Sequence, residues 1–131
     1  MTDERTRVDA LVDRLLIEHD PQGDPKMFLG ARFDLGLGWV WFPEGLGGLG
    51  VERGLQTVVE QRLTAVGAPN PARYNALGVG MGAHVLMAHA TLEQQHRWLR
   101  PMFTGEEIWC QMFSEPGAGS DMAALAARAT R

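Results

Sequence analysis

The residue run with the clearest chemical potential is Gln111-Met112-Phe113-Ser114-Glu115-Pro116-Gly117-Ala118-Gly119-Ser120-Asp121. A strand-like stretch runs straight into a Pro-Gly-Ala-Gly-Ser turn. Glycines let successive backbone N–H groups converge on an anion, and the Ser120 hydroxyl adds one more donor, which is what a pyrophosphate requires. Glu115 and Asp121 oppose that reading, because a carboxylate repels phosphate unless its side chain turns away or caps backbone amides. Short glycine loops are also common turns. On the residues themselves, an anion-binding loop and a plain turn both stay open.

A second glycine run, Gly45-Leu46-Gly47-Gly48-Leu49-Gly50, matches the G-x-G-x-x-G dinucleotide fingerprint, with Trp39 to Phe42 as its candidate strand. A Rossmann unit needs an acidic residue about twenty positions later to hold the ribose, yet no Asp or Glu lies between Gln61 and Leu92. Pro43 and Glu44 also separate the strand-like run from the glycines. The expectation is a structural turn, not a nicotinamide site. His84 and His89 are five apart, off a common helix face, and have no carboxylate or thiolate set around them, so no metal site is expected. Ser120 lacks the G-x-S-x-G setting of a nucleophile elbow, since Met122 stands two positions after it. Met81, Leu86 and Met87 are read as core residues, with an acyl-chain pocket as the alternative. Glu44, Glu52, Glu60, Glu93, Glu106, Glu107 and Glu115 read as solvated surface charges, and no catalytic residue is assigned.

Composition bounds the classes. A chain of 131 residues is enough for one core. Its net charge of −4 and its lack of a basic cluster give no electrostatic footing for nucleic acid. Cys110 is the single cysteine, which excludes an internal disulfide and fits a reducing, cytoplasmic setting. The charged opening from Met1 to Arg7 precedes no apolar run of the secretory type. Ala76 to Ala90, the most apolar stretch, contains two histidines and is shorter than the roughly 20 residues of a membrane span.

Helical elements must carry the glycine turn. Val8, Leu11, Val12, Leu15 and Leu16 predict an amphipathic helix over about 3–19, ended by Pro21 and Gly23. Asp24-Pro25 predicts the cap and first turn of a second helix to about Leu35, and residues 36–50 read as an irregular loop. Leu55, Val58, Val59, Leu63 and Val66 predict a third helix over about 51–66 with Gly67 as its C-terminal cap. Residues 76–89 are small or apolar on nearly every face, which predicts a central buried helix; Gly78, Gly80 and Gly82 are expected to admit close backbones. Thr91 and Gln94 predict a capping box for a helix through about Leu99, stopped by Pro101. From Glu107 to Phe113 the period becomes two, predicting a strand buried on both faces, with a further strand beginning over 126–131. The sheet partners are absent from the chain, so a second domain is expected to be cut off.

Trp109 to Asp121, with its SEPGAGSD core, resembles the signature of the acyl-CoA dehydrogenase family. The likeness extends back through Leu99-Arg100-Pro101, Thr104-Gly105-Glu106, the Gly38 to Glu44 loop and the Gly47-Gly48-Leu49-Gly50 turn, and so covers most of the chain. The resemblance implies a mainly α fold: a helical N-terminal domain over 1–105, then the first one or two strands of a truncated middle β domain over 106–131. It implies FAD as cofactor and α,β-desaturation of an acyl-CoA thioester, with electrons passed to an acceptor such as an electron-transferring flavoprotein, within a homo- or hetero-oligomer. By motif position, Gln111, Phe113 and Ser114 are expected against the flavin, and Gly119 and Ser120 toward its pyrophosphate or the CoA side of the thioester. Met112 and Phe113 are equally readable as core. The family's catalytic glutamate has no counterpart here, so the chain by itself is expected to be inactive. A noncatalytic fragment or partner subunit, and a flavin oxidase or monooxygenase on the same scaffold, are the alternatives.

Overall fold

The computed structural model describes residues 2–131 and is mainly helical. Its α-helices are α1 (Thr2–Glu18), α2 (Pro25–Asp34), α3 (Gln56–Ala65), α4 (Pro71–Leu77), α5 (Ala83–His89) and α6 (Leu92–Thr104). A 3-10 turn over Arg53–Leu55 leads into α3, a π-helical turn over Gly78–Gly82 joins α4 to α5, and a last 3-10 turn spans Met122–Ala124. No helix among the described residues is long and apolar enough to cross a membrane.

The helix ends follow from local chemistry. Asp24 accepts from the Lys26 amide at 2.9 Å with Pro25 in the first turn, as the Asp-Pro pair predicts. Thr91 and Gln94 exchange side chain and backbone bonds at 3.2 and 2.9 Å, forming the expected capping box. Gly67 closes α3 with φ 68°. The reading departs from the structure at Pro101, which lies inside α6 rather than ending it. Proline there forfeits one helical hydrogen bond, but buried Leu99, Met102 and Phe103 hold the turns on either side in register, and Gly105 ends the helix with φ 82°.

Two apolar clusters form the interior. One gathers Val8, Val12 and Leu15 of α1 with Phe28, Leu37, Val40, Leu49, Val51, and Val59 and Leu63 of α3. The other joins Leu29 and Phe33 of α2 to Trp39, Phe42, Leu46, Val79, Ala83, Leu86 and the Leu99, Met102 and Phe103 face of α6. Segment 36–51 runs between them and contributes to both: Leu37 and Val40 to the first, Trp39 and Phe42 to the second. The irregular loop is therefore core. Trp39 stacks on Phe42 at 4.8 Å, meets Phe103 edge-on at 5.0 Å and donates Nε1–H to the Val79 carbonyl at 3.1 Å.

This burial explains the G-x-G-x-x-G run. A Cβ at Gly48 would stand 2.0 Å from the Phe42 carbonyl oxygen, and one at Gly47, whose φ is 87°, would stand 2.6 Å from the Phe33 ring. The glycines let the chain fold tightly over the aromatic cluster. They precede α3 without any intervening strand, as the structural reading expects.

Arg32 is buried, with 1% of its side chain exposed. Its Nε donates to the Leu37 carbonyl at 3.0 Å, Nη2 pairs with Glu60, and the guanidinium lies 5.3 Å from the Phe103 ring centre. Burial pulls the Arg32 pKa down and Glu60 opposes that pull, the balance lying below the ordinary arginine value. Glu60, expected as a free surface charge, is instead the counter-ion of a buried cation. Arg100 crosses Gly30 and bonds both Asp34 carboxylate oxygens at 2.9 Å, joining α6 to α2. Arg62 joins α3 to Asp9 and Asp13 of α1.

Two further expectations are corrected. The apolar stretch 76–89 is not one helix buried on nearly every face: it is α4, a π turn and α5, and its Leu77, Met81 and Val85 side is exposed. That side points away from both clusters and is only partly covered, by the Gln111 side chain at Met81. Residues 107–113 do not form a buried strand, and 126–131 form none. A strand needs a neighbour to take its amides and carbonyls, and no ladder is available among the described residues. Ile108 is 64% and Met112 85% exposed as a result.

Candidate functional site

Beyond α6 the chain is steered by three contacts before it reaches the glycine turn. The Glu107 amide donates to the Pro101 carbonyl at 3.1 Å. Asn75 of α4 donates to the Glu107 carbonyl and accepts from the Trp109 amide, each at 3.0 Å. Trp109 then meets Trp98 edge-on at 5.9 Å. Past this point the contact with the helices is lighter, with Gln111 donating Nε2–H to the Met81 sulfur at 3.1 Å.

The Pro-Gly-Ala-Gly turn closes on itself. Glu115 and Ala118 exchange two backbone hydrogen bonds of 3.0 Å, and this reversal folds Gly119 and Ser120 back toward the preceding segment. An open cleft of about 650 Å³ results, lined by Gln111, Met112, Phe113, Ser114, Gly119, Ser120 and Met122. All five residues singled out for cofactor contact, Gln111, Phe113, Ser114, Gly119 and Ser120, share this cleft. Met122, which the sequence reading did not single out as a contact, shares it too. Phe113 is 55% and Met112 85% exposed, so neither is buried by the described residues.

The carboxylate objection to anion binding is resolved for Glu115. Its side chain turns away and accepts from the Ala126 and Ala127 amides at 2.7 and 3.3 Å. The glycines behave differently from expectation. Gly117 and Gly119 are absent from the left-handed glycines, so the turn lacks the alternating conformation that makes a backbone nest. A Cβ at either would meet nothing within 4 Å. Neither a positive φ nor crowding by this chain accounts for glycine at these two positions, which leaves room for a close approach by another group.

The remaining candidates fall to structural roles. His84 is stacked on Trp41 at 5.9 Å with Phe42 edge-on at 5.6 Å, and neither ring nitrogen has a hydrogen-bond partner. No group of His, Cys, Asp or Glu able to hold a metal occurs among the described residues. Cys110 is exposed. Leu86 is core, whereas Met81 lies on the exposed side of the π turn. Gly78 and Gly82 admit side chains rather than backbones: Asn75 beside the first, Trp109 and Met102 beside the second. Asn75 itself escaped sequence reading, although it is the lone amide in an otherwise small and apolar run.

Comparison with known proteins agrees with this architecture. The family described as "Acyl-CoA dehydrogenase, N-terminal domain" matches residues 5–106. The acyl-CoA dehydrogenase FadE34 of Mycobacterium tuberculosis (strain ATCC 25618 / H37Rv) is 39% identical over 85 residues, 64% of this chain and 11% of that protein. The acyl-CoA dehydrogenase IpdE1 of the same organism is 37% identical over 93 residues, 71% of this chain and 23% of its own length. The chain thus spans less than a quarter of either relative. No solved structure matches significantly. With its helices, its buried glycine loop and more than half of its length falling within that domain, the chain belongs to the acyl-CoA dehydrogenase family.

Proposed function

We propose that this chain supplies the helical N-terminal unit and the first flavin-facing loop of an FAD-dependent acyl-CoA dehydrogenase, acting on an acyl-CoA thioester. The carrying observation is that Gln111, Phe113, Ser114, Gly119 and Ser120 line a single cleft while the intervening Glu115 carboxylate is held elsewhere by two amides. The residues suit the group. Phe113 and Met112 offer apolar surface to a ring system, Gln111 and Ser114 offer donors and acceptors to its polar edge, and Gly119 with the Ser120 hydroxyl suits an anionic linker. The open space beside Gly117 and Gly119 fits close contact with a bulky phosphate ester.

When bound, FAD supplies the two-electron acceptor for α,β-desaturation. This chain's part is binding and orientation: backbone and hydroxyl groups of 111–114 would hold the flavin's pyrimidine end, and Ser120 would serve the pyrophosphate or thioester side. It contributes no general base. Glu44, Glu60 and Glu107 are paired with Arg7, Arg32 and Arg97, and Glu115 with backbone amides, so none is disposed toward the cleft. The base, the remaining pocket walls, the electron acceptor and the oligomeric assembly belong to other polypeptide. Whether that is a continuation of this chain or a partner subunit is the point on which the noncatalytic reading differs. The exposed Ile108, Met112 and Phe113 favour a further apolar surface over the cleft in either case.

The test compares residues 1–131 with the full-length polypeptide encoded around them, each purified by gel filtration and scanned for flavin absorbance. The full-length protein is expected to retain FAD and to lose its oxidised flavin spectrum on anaerobic addition of a saturated acyl-CoA; the 131-residue chain is expected to emerge colourless. A full-length protein that neither retains nor takes up FAD refutes the proposal. Reduction by a nicotinamide without any response to acyl-CoA favours the monooxygenase alternative.

A further inference from the structure

Asn75 interrupts α4 with a non-helical backbone (φ −154°, ψ 59°), which directs its side chain between the end of α6 and the segment that follows. The side chain is 3% exposed and uses its donors and its acceptor together. Nδ2 donates to the Met102 carbonyl at 2.9 Å and the Glu107 carbonyl at 3.0 Å, and Oδ1 accepts from the Trp109 amide at 3.0 Å. The two carbonyls lie on either side of the Gly105 reversal, so one amide group ties the last turn of α6 to the chain leaving it. Gly78 completes the arrangement, since a Cβ there would stand 2.4 Å from Asn75 Nδ2.

We propose that Asn75, with Gly78 packed against it, is the positioning residue that sets the direction in which residues 107–114 leave the helical body and thereby where the candidate cofactor cleft stands. Its functional half rests on the flavin reading above. Among the described residues, no backbone hydrogen bond ties 110–114 to the helices and the exposed Gln111 side chain on the Met81 sulfur is the one further tie, so the heading is set chiefly at 107–109. Five residues beyond Trp109 reach at most roughly 16 Å to Ser114, and at that reach an error of about 20° at the root would move the tip by about 5 Å. That exceeds the tolerance of any hydrogen bond to a cofactor. Aspartate at 75 would lose both donations, and alanine would lose all three bonds and leave two carbonyls and one amide unpaired.

The experiment uses the full-length polypeptide and the variants Asn75→Ala and Gly78→Ala, with residue-resolved amide exchange and the visible circular dichroism of bound flavin. Gly78→Ala raises helix propensity, and the three atoms nearest its new methyl all belong to the Asn75 side chain, so it remains informative if Asn75→Ala fails to fold. Expected in both is at least tenfold faster exchange at Trp109, exchange of α6 within about twofold of the unaltered protein, and altered flavin dichroism with faster FAD release. Unchanged Trp109 exchange in Gly78→Ala overturns the proposal. Equal loosening of α6 overturns it too, because Asn75 would then merely hold that helix. Faster Trp109 exchange with unaltered flavin dichroism and release overturns the functional half. If the unaltered protein holds no FAD, the flavin reading fails, while the exchange measurements still decide whether Asn75 directs the segment.

Discussion

Cutting Glu60 back to alanine removes the one carboxylate that pairs with the buried Arg32 among the described residues and leaves the guanidinium with the Leu37 carbonyl and the Phe103 ring. Removing one partner of a fully buried pair costs about 3–5 kcal/mol, because the other charge stays desolvated. Glu60 is 46% exposed, so water can enter where its carboxylate stood and solvate part of the guanidinium, which lowers the figure to about 2–3 kcal/mol. Unfolding entropy of about 2 cal/mol/K per residue, taken over 131 residues, converts this to a fall of roughly 7–11 °C in Tm. Urea melts followed by far-ultraviolet circular dichroism measure it directly. Arg32→Met combined with Glu60→Ala should be more stable than Glu60→Ala, since the unpaired charge is gone. A loss below about 0.5 kcal/mol in Glu60→Ala, or a double variant no better than the single, would refute the claim that Arg32 is a buried cation dependent on Glu60.

Gly48→Ala is expected to lower stability by more than about 3 kcal/mol, because the new methyl meets backbone rather than a movable side chain; a stable variant with impaired nicotinamide binding would restore the dinucleotide reading of the motif. Ser120→Ala in the full-length protein should weaken FAD or acyl-CoA binding by roughly 10- to 100-fold, the worth of one hydrogen bond to an anion, with the Tm of the FAD-free protein unmoved because Ser120 is exposed. Titrations that find both affinities intact would remove Ser120 from the site.

The helices were legible because their signals are local. Asp24-Pro25, the Thr91 and Gln94 pair, Gly67 and the apolar spacing of Val8, Val12 and Leu15 act within a turn or two of the residues that carry them. The family likeness was legible as well, because stretches such as Gly38 to Glu44 and Thr104 to Glu106, which fall inside the matched residues 5–106, are contiguous in sequence. Pro101 shows where local rules yield: the α6 residues around it are fixed by packing onto α2 and the aromatic cluster, whose energy exceeds one lost hydrogen bond. The two-residue period of 107–113 is real in the sequence, but sheet formation depends on neighbouring strands and cannot be read from one segment. Only the tertiary structure reveals that residues 36–51 are core, that Glu60 answers Arg32, that Glu115 faces away from the cleft, and that Asn75 ties α6 to the segment beyond it. Each depends on groups 11 or more residues apart, whose meeting is decided by how the helices pack and not by any pattern along the chain.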